Sequence, residues 1–359
     1  MQPAEFNTLL LAWHKKHGRH DLPWRQDVSP YRVWVSEIML QQTRVTTVIP
    51  YFNAFMLRFP DIKLLACAPL DEILHLWTGL GYYARARHMH QAAGLIMENH
   101  AGVFPREYSA VMALPGVGRS TAGAILAIAT NQRLPILDGN VKRVLARFLA
   151  IDGWPGTAAI QKQLWELAEN FTPANRVAEY TQAIMDLGAT VCLRKNPDCM
   201  QCPVQSGCIA KKTSRQHDLP YPRPKKQLPV RRKVFAILEN QAGEILLEQR
   251  PPTGIWGGLW SFPECSPEQD IKLWLKKQWG YMANKVEFKA PLLHTFSHFR
   301  LDIIPVHVLV DDSTAKIQDT NQYCWCKPAE NRLIGMATPV RKLLQQVTSE
   351  SVSQEIING

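Results

Sequence analysis

Apolar residues recur with the period of an α-helix through the first part of the chain, up to about residue 210. Phe6, Leu9, Leu10 and Trp13 follow the i, i+3, i+4, i+7 spacing that puts apolar side chains on one helix face. Almost no segment here alternates with period two, so the pattern predicts an all-α first domain. Breaks such as 78–81 separate further predicted helices at 31–57, 71–77, 84–99, 106–113, 119–129, 140–149, 157–170 and 174–189.

The pattern changes after a segment at 219–230 that contains four prolines. Its composition favours an extended, semi-rigid linker. Beyond it, apolar runs at 234–239 and 244–249 flank Asn-Gln-Ala-Gly, which is a hairpin signal. A strand at 301–310 and a helix at 267–279 complete the prediction of an α+β second domain.

The length of 359 residues exceeds one ordinary core of about 150 residues. We therefore predict an all-α domain at 1–218, a basic linker at 219–233 and an α+β domain at 234–359. No apolar run reaches the ~20 residues of a membrane helix, and no export signal is visible in the first thirty residues. These features predict a cytoplasmic protein with no membrane partner.

The formal charge of +10 is unevenly distributed. Residues 1–218 hold 23 basic against 17 acidic residues, 219–233 hold six basic residues and no acid, and 234–359 hold 12 against 14. A basic first domain and linker indicate a polyanionic partner. A solvated surface that favours solubility is the alternative.

Four of the eight cysteines form the cluster Cys192-x6-Cys199-x2-Cys202-x5-Cys208. Clustered thiols in a chain without an export signal indicate a metal site in a reducing compartment. Four thiolates suit either one zinc ion or an iron–sulfur cluster. Unligated structural cysteines are the remaining interpretation.

Leu114-Pro115-Gly116-Val117-Gly118 lies between two predicted helices. Gly116 and Gly118 lack a Cβ where the chain turns, so backbone N–H groups and a helix N-terminus can face a phosphate. An ordinary tight turn between helices is the alternative.

Two acids are candidates for catalysis. Glu37 lies within the apolar helical run Val33–Leu40, where burial would raise its pKa and keep it available as a proton donor. Asp138 precedes an apolar periodic run and is either a helix N-cap or a carboxylate that faces a developing cation. Two acids in contrasting environments are what cleavage of a glycosidic bond uses.

Together these motifs resemble the helix-hairpin-helix, iron–sulfur DNA glycosylase superfamily, and within it the adenine DNA glycosylases of the MutY type. The resemblance covers nearly the whole chain. It rests on Ser36–Thr43, Gly79–Arg87, the 114–118 hairpin, Leu137–Asn140, the four cysteines and the β-containing C-terminal domain.

The resemblance implies a glycosylase that flips adenine out of duplex DNA and removes it hydrolytically when it is mispaired with 8-oxoguanine or guanine. It implies one 4Fe–4S cluster, held by the four cysteines in the six-two-five spacing of the endonuclease III family. It also implies double-stranded DNA as the partner of a monomeric enzyme, with other repair proteins left open.

The same resemblance assigns roles to individual residues. Glu37 would protonate adenine at N7, and Asp138 would stabilise the oxocarbenium ion with support from Asn140 and Arg25. Tyr82 would be a wedge at the 8-oxoguanine site. The predicted DNA contacts are Arg25, Gln41, Gln42, Arg44, Tyr82, Gly116, Gly118, Ser120 and Lys142, with Gln41, Gln42 and Arg44 expected on the helix of Glu37.

The closest rival is an endonuclease III-like enzyme, which cuts the backbone through a lysine Schiff base. Its lysine follows the hairpin directly, where this chain has Ser120, so no imine can form there. Lys142 is more consistent with a phosphate contact. These residues predict a monofunctional glycosylase. An alternative from a different functional class is a non-catalytic DNA-binding protein whose cluster senses redox state.

Residues 234–264 resemble the opening of a Nudix fold, but lysines stand at 276 and 277, where Mg²⁺-binding glutamates belong. The fold is therefore expected to bind rather than to hydrolyse a nucleotide. The family's Phe-Ser-His loop corresponds to Phe296, Ser297 and His298, which would recognise 8-oxoguanine. An ordinary turn after a strand is the alternative.

Overall fold

The computed structural model describes residues 1–224, 227–311, 322–327 and 334–347. Its contacts divide the chain into two compact units. The helical unit comprises Met1–Cys67 and His88–Lys225, and the sheet unit comprises Ala68–Arg87 and Lys226–Gly359. Among the described residues, no helix is both long and apolar enough to cross a membrane.

The described part of the helical unit contains helices and loops but no strand, as the apolar period predicted. Short 3-10 turns at Pro23–Arg25 and Gln205–Gly207 join some of them. The helices up to residue 212 are α1 (Pro3–His17), α2 (Pro30–Leu40), α3 (Val45–Arg58), α4 (Ile62–Cys67), α5 (Leu70–Leu76), α6 (Ala84–His100), α7 (Tyr108–Met112), α8 (Arg119–Thr130), α9 (Gly139–Phe148), α10 (Ala158–Phe171), α11 (Val177–Thr190) and α12 (Ile209–Lys212). Of these, α5 belongs to the sheet unit, and α6 begins there.

The core of the helical unit forms where α1, α9, α10 and α11 pack together. Phe6, Phe148 and Phe171 meet edge to face, with ring centroids 4.8 to 5.8 Å apart. Such aromatic contacts bury much apolar area and fix the helices relative to one another. The start of α9 and the inner face of α11 are thereby held in place.

The predicted helix at 31–57 is wrong in one respect, because the chain breaks between α2 and α3. Gln41 ends α2, and Gln42 adopts a left-handed conformation with φ of 58°. A left-handed residue cannot continue a right-handed helix. The sequence led us to expect Gln41, Gln42 and Arg44 on the helix of Glu37. In the structure they lie in the loop that follows this helix.

The described part of the sheet unit is built on one eight-stranded sheet. Its long central strands β1 and β7 run parallel, with Val230 opposite Arg300 and Glu239 opposite Leu309. The predicted hairpin at 240–243 joins β1 to β2. The strands are β1 (Val230–Glu239), β2 (Ile245–Gln249), β3 (Trp260–Ser261), β4 (Glu264–Cys265), β5 (Met282–Phe288), β6 (Leu292–Thr295), β7 (Arg300–Asp311) and β8 (Tyr323–Cys326). Helices α13 (Ile271–Trp279) and α14 (338–347) complete it.

Two features differ from the predicted domain boundaries. Strand β1 begins at Val230, inside the segment 219–233 that we expected to be linker. Residues 68–87, predicted within the all-α domain, pack with the sheet unit instead. The Tyr83 hydroxyl donates to the carbonyl of Met336 at 3.0 Å, and Arg87 donates to the carbonyl of Gly257 at 2.5 Å.

Candidate active site

The two predicted catalytic acids face one cavity of the helical unit, with a volume of about 450 Å³. Glu37 comes from the middle of α2, and Asp138 comes from the residue that begins α9. A cavity of this size suits a small, flat ligand. Residues that the sequence gave no reason to select also line it: Arg19, Leu22, Trp24, Gln182 and Met185.

The surroundings of Glu37 favour its protonated form near neutral pH. Burial and the neighbouring charge of Asp138 raise its pKa to about 7, although the charge of Arg25 opposes this shift. A carboxyl group is an efficient general acid when its pKa lies near the working pH. The predicted effect of burial on Glu37 is thus present in the structure.

Asp138 is both a helix cap and a cavity residue. Its Oδ1 accepts the backbone N–H of Val141 at 2.8 Å, and its Oδ2 accepts the side-chain amide of Asn140 at 3.0 Å. Burial holds the pKa of Asp138 above its ordinary value, because its effect outweighs these hydrogen bonds and the charge of Arg143, which lower the pKa. The two acids therefore differ in contacts, since the Asp138 carboxylate accepts fixed donors that stabilise its ionised form.

Asn140 is held from behind by α11 and by its own helix. A Cβ on Gly188 would lie 2.6 Å from the Cβ of Asn140, so only glycine allows this approach. Arg143 donates to the side-chain oxygen of Asn140 at 2.9 Å and to the carbonyl of Gly188 at 2.5 Å. Its Nε also donates to the carbonyl of Cys192 at 2.7 Å, which ties the cavity to the cysteine loop.

The predicted DNA-contact residues fall into distinct positions. Gln41 and Gln42 line the cavity, and Arg44 is an exposed residue at the start of α3. Ser120 also lines the cavity, where its hydroxyl accepts the backbone N–H of Leu137 at 2.9 Å. Lys142 is half-buried on α9 and lies outside the cavity lining.

The glycine hairpin joins α7 to α8, which confirms the helix-hairpin-helix motif. Gly116 has a φ of 77°, and a Cβ there would lie 2.9 Å from the Cβ of His88. Gly118 is the N-cap of α8, with open space where a Cβ would point. Free backbone N–H groups at such a helix start can face an anion.

The four clustered cysteines share one small cavity beside α9 and α11. Burial and the other three cysteines raise the pKa of the Cys202 thiol to about 12. A bound metal would favour the deprotonated thiolates, because it takes up their negative charge. Among the described residues, however, no group of three or more His, Cys, Asp or Glu side chains is placed to hold a single metal ion.

The contacts of Arg147 indicate whether the cysteine loop suits a negatively charged metal cofactor. Its side chain is almost fully buried and donates to the carbonyls of Leu219 at 2.7 Å and Leu193 at 2.6 Å. It also lies 3.4 Å from the sulfur of Cys192. A buried cation requires a negative partner, and a thiolate at Cys192 would supply one beside Arg147. Thiolate ligands around an anionic metal cofactor would satisfy that requirement.

A second cavity, of about 670 Å³, lies within the sheet unit. Tyr82 lines it, with half of its side chain exposed and a left-handed φ of 50°. Phe296, Ser297 and His298 also line it, in the loop that joins β6 to β7. The structure thus brings the predicted wedge and the predicted recognition loop together.

Aromatic rings support that loop from below. Phe296 stacks on Phe299 with centroids 4.5 Å apart, and Trp256 contacts both His294 and Phe296 at about 5.5 Å. Trp256 is held in a left-handed conformation with φ of 52°, which costs energy for a bulky residue. The Ser297 and His298 side chains remain exposed above this aromatic support.

Comparison with known proteins agrees with this arrangement. Residues 35–170 match the HhH-GPD superfamily of base excision DNA repair proteins, and residues 234–346 match the NUDIX domain. An adenine DNA glycosylase of Buchnera aphidicola subsp. Acyrthosiphon pisum is 38% identical, over 95% of this chain and 97% of its own. The chain belongs to the adenine DNA glycosylase family.

More distant adenine DNA glycosylases also align along nearly the whole chain. The human protein is 33% identical, over 95% of this chain and 73% of its own. A solved thermostable thymine-DNA glycosylase is 26% identical with a TM-score of 0.54, and covers 59% of this chain and 97% of its own. The predicted family and fold class are therefore confirmed.

Proposed function

We propose that this adenine DNA glycosylase hydrolyses the N-glycosidic bond of adenine mispaired with 8-oxoguanine or guanine in duplex DNA. The observation that carries the proposal is the shared cavity of Glu37 and Asp138, in which one acid tends to keep its proton and the other accepts two fixed donors. A base inside a duplex cannot reach such a cavity, so the adenine must be flipped out of the stack.

Glu37 is the general acid of the proposed reaction. Its proton passes to N7 of the bound adenine as the bond between N9 and C1′ breaks, and the bonding electrons leave with the base. The neutral purine is a better leaving group than its anion, which lowers the barrier. Gln182 and Trp24 line the same cavity and supply an amide and an aromatic face for the base.

Asp138 stabilises the cation that remains on the sugar. Its carboxylate is held by Val141 and Asn140, so it does not have to reorganise as positive charge develops at C1′. Water then adds to C1′ and gives its proton to the Glu37 carboxylate. The products are free adenine and an abasic site, and Glu37 is again protonated.

Ser120 supports a monofunctional reaction. Its hydroxyl lines the cavity and accepts the N–H of Leu137. A serine cannot form the imine through which a lysine cleaves the strand. The expected product is an intact strand with an abasic site, which breaks only on treatment with alkali or heat.

The remaining predicted contacts suit a DNA duplex. Gly116, Gly118, Lys142 and Arg44 would meet backbone phosphates, whereas Gln41, Gln42 and Arg25 lie at the cavity. In the sheet unit, Tyr82 would enter the stack beside 8-oxoguanine, and Phe296, Ser297 and His298 would contact that base. The basic composition of residues 1–233 supports phosphate binding.

One 4Fe–4S cluster is the proposed cofactor, with Cys192, Cys199, Cys202 and Cys208 as its ligands. When bound, it would cross-link the loop that Arg143 and Arg147 join to α9, and no chemical step depends on it. An absorption band at about 400 nm in protein purified without oxygen tests this assignment. We further propose a monomer that acts on DNA in the cytoplasm.

Single-turnover release of adenine from a short duplex with A opposite 8-oxoguanine tests the function. The parent protein should release adenine, and the rate should fall about 10²- to 10⁴-fold in Glu37→Gln. Glu169→Gln is a matched control, because Glu169 is an exposed acid paired with Arg133. No release by the parent protein would overturn the proposal, and an active Glu37→Gln variant would remove Glu37 from its role.

A further inference from the structure

Two arginines and a histidine surround the carboxylate of Asp186, a fully buried residue of α11. Arg25 donates to both of its oxygens, at 2.7 and 2.8 Å. Arg19 donates through its backbone N–H at 2.9 Å and through Nε at 2.8 Å. Bidentate pairs of this kind fix a guanidinium group in both position and orientation.

The third neighbour is His14, whose Nε2 lies 3.3 Å from a carboxylate oxygen of Asp186. Arg25 also donates to the carbonyl of Arg19 at 3.1 Å, which closes the loop between the two arginines. Although burial raises the pKa of Asp186, the bonds from His14 and Arg25 hold it well below its usual range. The aspartate is therefore charged throughout the working pH range.

This group matters because both arginines line the cavity of Glu37. Arg25 is the neighbour whose charge lowers the pKa of Glu37 and so favours loss of its proton. The carboxylate of Asp186 forms an ion pair with that guanidinium group. An acid catalyst close to an uncompensated arginine would ionise too readily to donate a proton at neutral pH.

We propose that Asp186 is a positioning residue for adenine excision, which fixes Arg25 and Arg19 in the cavity wall and offsets part of their charge. Glu37 thereby keeps its proton at neutral pH while the arginines stay in place. The inference deepens the proposed function and rests on it.

Other charged groups near Glu37 lie in the described part of the helical unit. Asp138 faces it from the start of α9, and Arg143 of the same helix acts on Asp138. Within α2, Arg32 donates to the carbonyl of Pro23 at 3.0 Å. The α8 residues in the cavity lining are uncharged. The charges of Asp138 and Arg143 are unaltered by a change at Asp186, so a shift in the titration of Glu37 would report the arginine group.

The test is the pH dependence of single-turnover adenine release by Asp186→Asn. Asparagine keeps the size and one acceptor oxygen but removes the negative charge. We expect the alkaline limb, which reports ionisation of Glu37, to move down by about one pH unit, so that the rate at pH 8 falls roughly tenfold more than the rate at pH 5.5.

Arg19→Gln tests the same relationship in the opposite direction and keeps the buried carboxylate. Arg19 is the more exposed of the two arginines, with 24% of its side chain accessible, so this variant is the easier to fold. Asp186 would then compensate Arg25 alone, and the alkaline limb should move to higher pH. Circular dichroism confirms the fold of each variant before its kinetics are measured.

Glu169→Gln, which breaks an exposed ion pair elsewhere in the helical unit, should leave the profile of the parent protein unchanged. A uniform loss of rate in Asp186→Asn with an unmoved alkaline limb would mean a structural role only. A limb that does not move upward in Arg19→Gln would overturn the inference as well. If the parent protein releases no adenine, the proposed function fails together with this inference, whereas an active parent with an unmoved limb contradicts this inference alone.

Discussion

Gly188 approaches Asn140 so closely that a single added methyl group would lie 2.6 Å from the Cβ of the asparagine. Gly188→Ala should therefore displace Asn140 and, with it, the donor that holds Asp138. We expect a loss of about 1–3 kcal/mol in stability and a fall in excision rate of up to about 10²-fold. Thermal denaturation and single-turnover kinetics measure the two effects.

Gly94 provides the matched control, because it is also a helical glycine but has nothing within 4 Å of an added Cβ. Gly94→Ala should stabilise the protein by up to about 1 kcal/mol, since alanine restricts the unfolded chain. Its excision rate should equal that of the parent protein. Equal behaviour of the two variants would mean that the contact with Asn140 is not critical.

Above about pH 7, replacement of Glu37 by glutamine should make the fold more stable, although it removes activity. Burial raises the pKa of Glu37 from 4.5 to about 7, so the folded protein binds this proton more tightly than the unfolded chain does. The parent protein should lose stability as pH rises through this window, by on the order of 3 kcal/mol at most. Denaturant titrations at pH 5 and pH 8 should show a smaller pH dependence in Glu37→Gln.

Asp138→Asn separates the cap from the catalytic charge. Asparagine is also a good N-cap, so α9 should form and the melting temperature should change little. Excision should fall by several orders of magnitude because the oxocarbenium ion loses its anionic partner. The control is Asp270→Asn at the N-cap of α13, which accepts two backbone N–H groups and should leave excision intact.

Arg147→Gln should weaken the binding of the proposed iron–sulfur cluster. Glutamine cannot satisfy the carbonyls of Leu193 and Leu219 together or compensate the charge beside Cys192. We expect a lower iron content and a loss of about 3 kcal/mol in stability from the unsatisfied buried groups. The exposed Arg133→Gln, in contrast, should retain a full complement of iron.

Trp256→Leu should weaken recognition of the base opposite the adenine and leave excision of the adenine itself intact. Loss of the indole removes the support beneath Phe296 and loosens the loop that carries Ser297 and His298. We expect the preference for A:8-oxoguanine over A:guanine to shrink while excision from A:guanine persists. Trp279→Leu, a change in another aromatic cluster of the same unit, is the control.

Sequence patterns over a few neighbouring residues predicted the helices and helix caps, because these elements depend on nearby residues. Helical periodicity gave the all-α unit, and Asp138 proved to be an N-cap because the capping rule depends on only a few adjacent residues. The break at Gln42 was missed, since nothing in a glutamine signals a positive φ. Leu22, Trp24 and Gln182 were missed for another reason, because only the packing of α11 and the 18–26 loop brings them to Glu37.

Residues 68–87 precede most of their packing partners by a long stretch of chain. During synthesis, this segment leaves the ribosome well before Gly257 and Met336, with which it forms hydrogen bonds. At about 5–20 residues per second, the wait lasts on the order of ten seconds or more. The growing chain therefore lacks these hydrogen-bond partners of residues 68–87 until the C-terminal sheet has been synthesised.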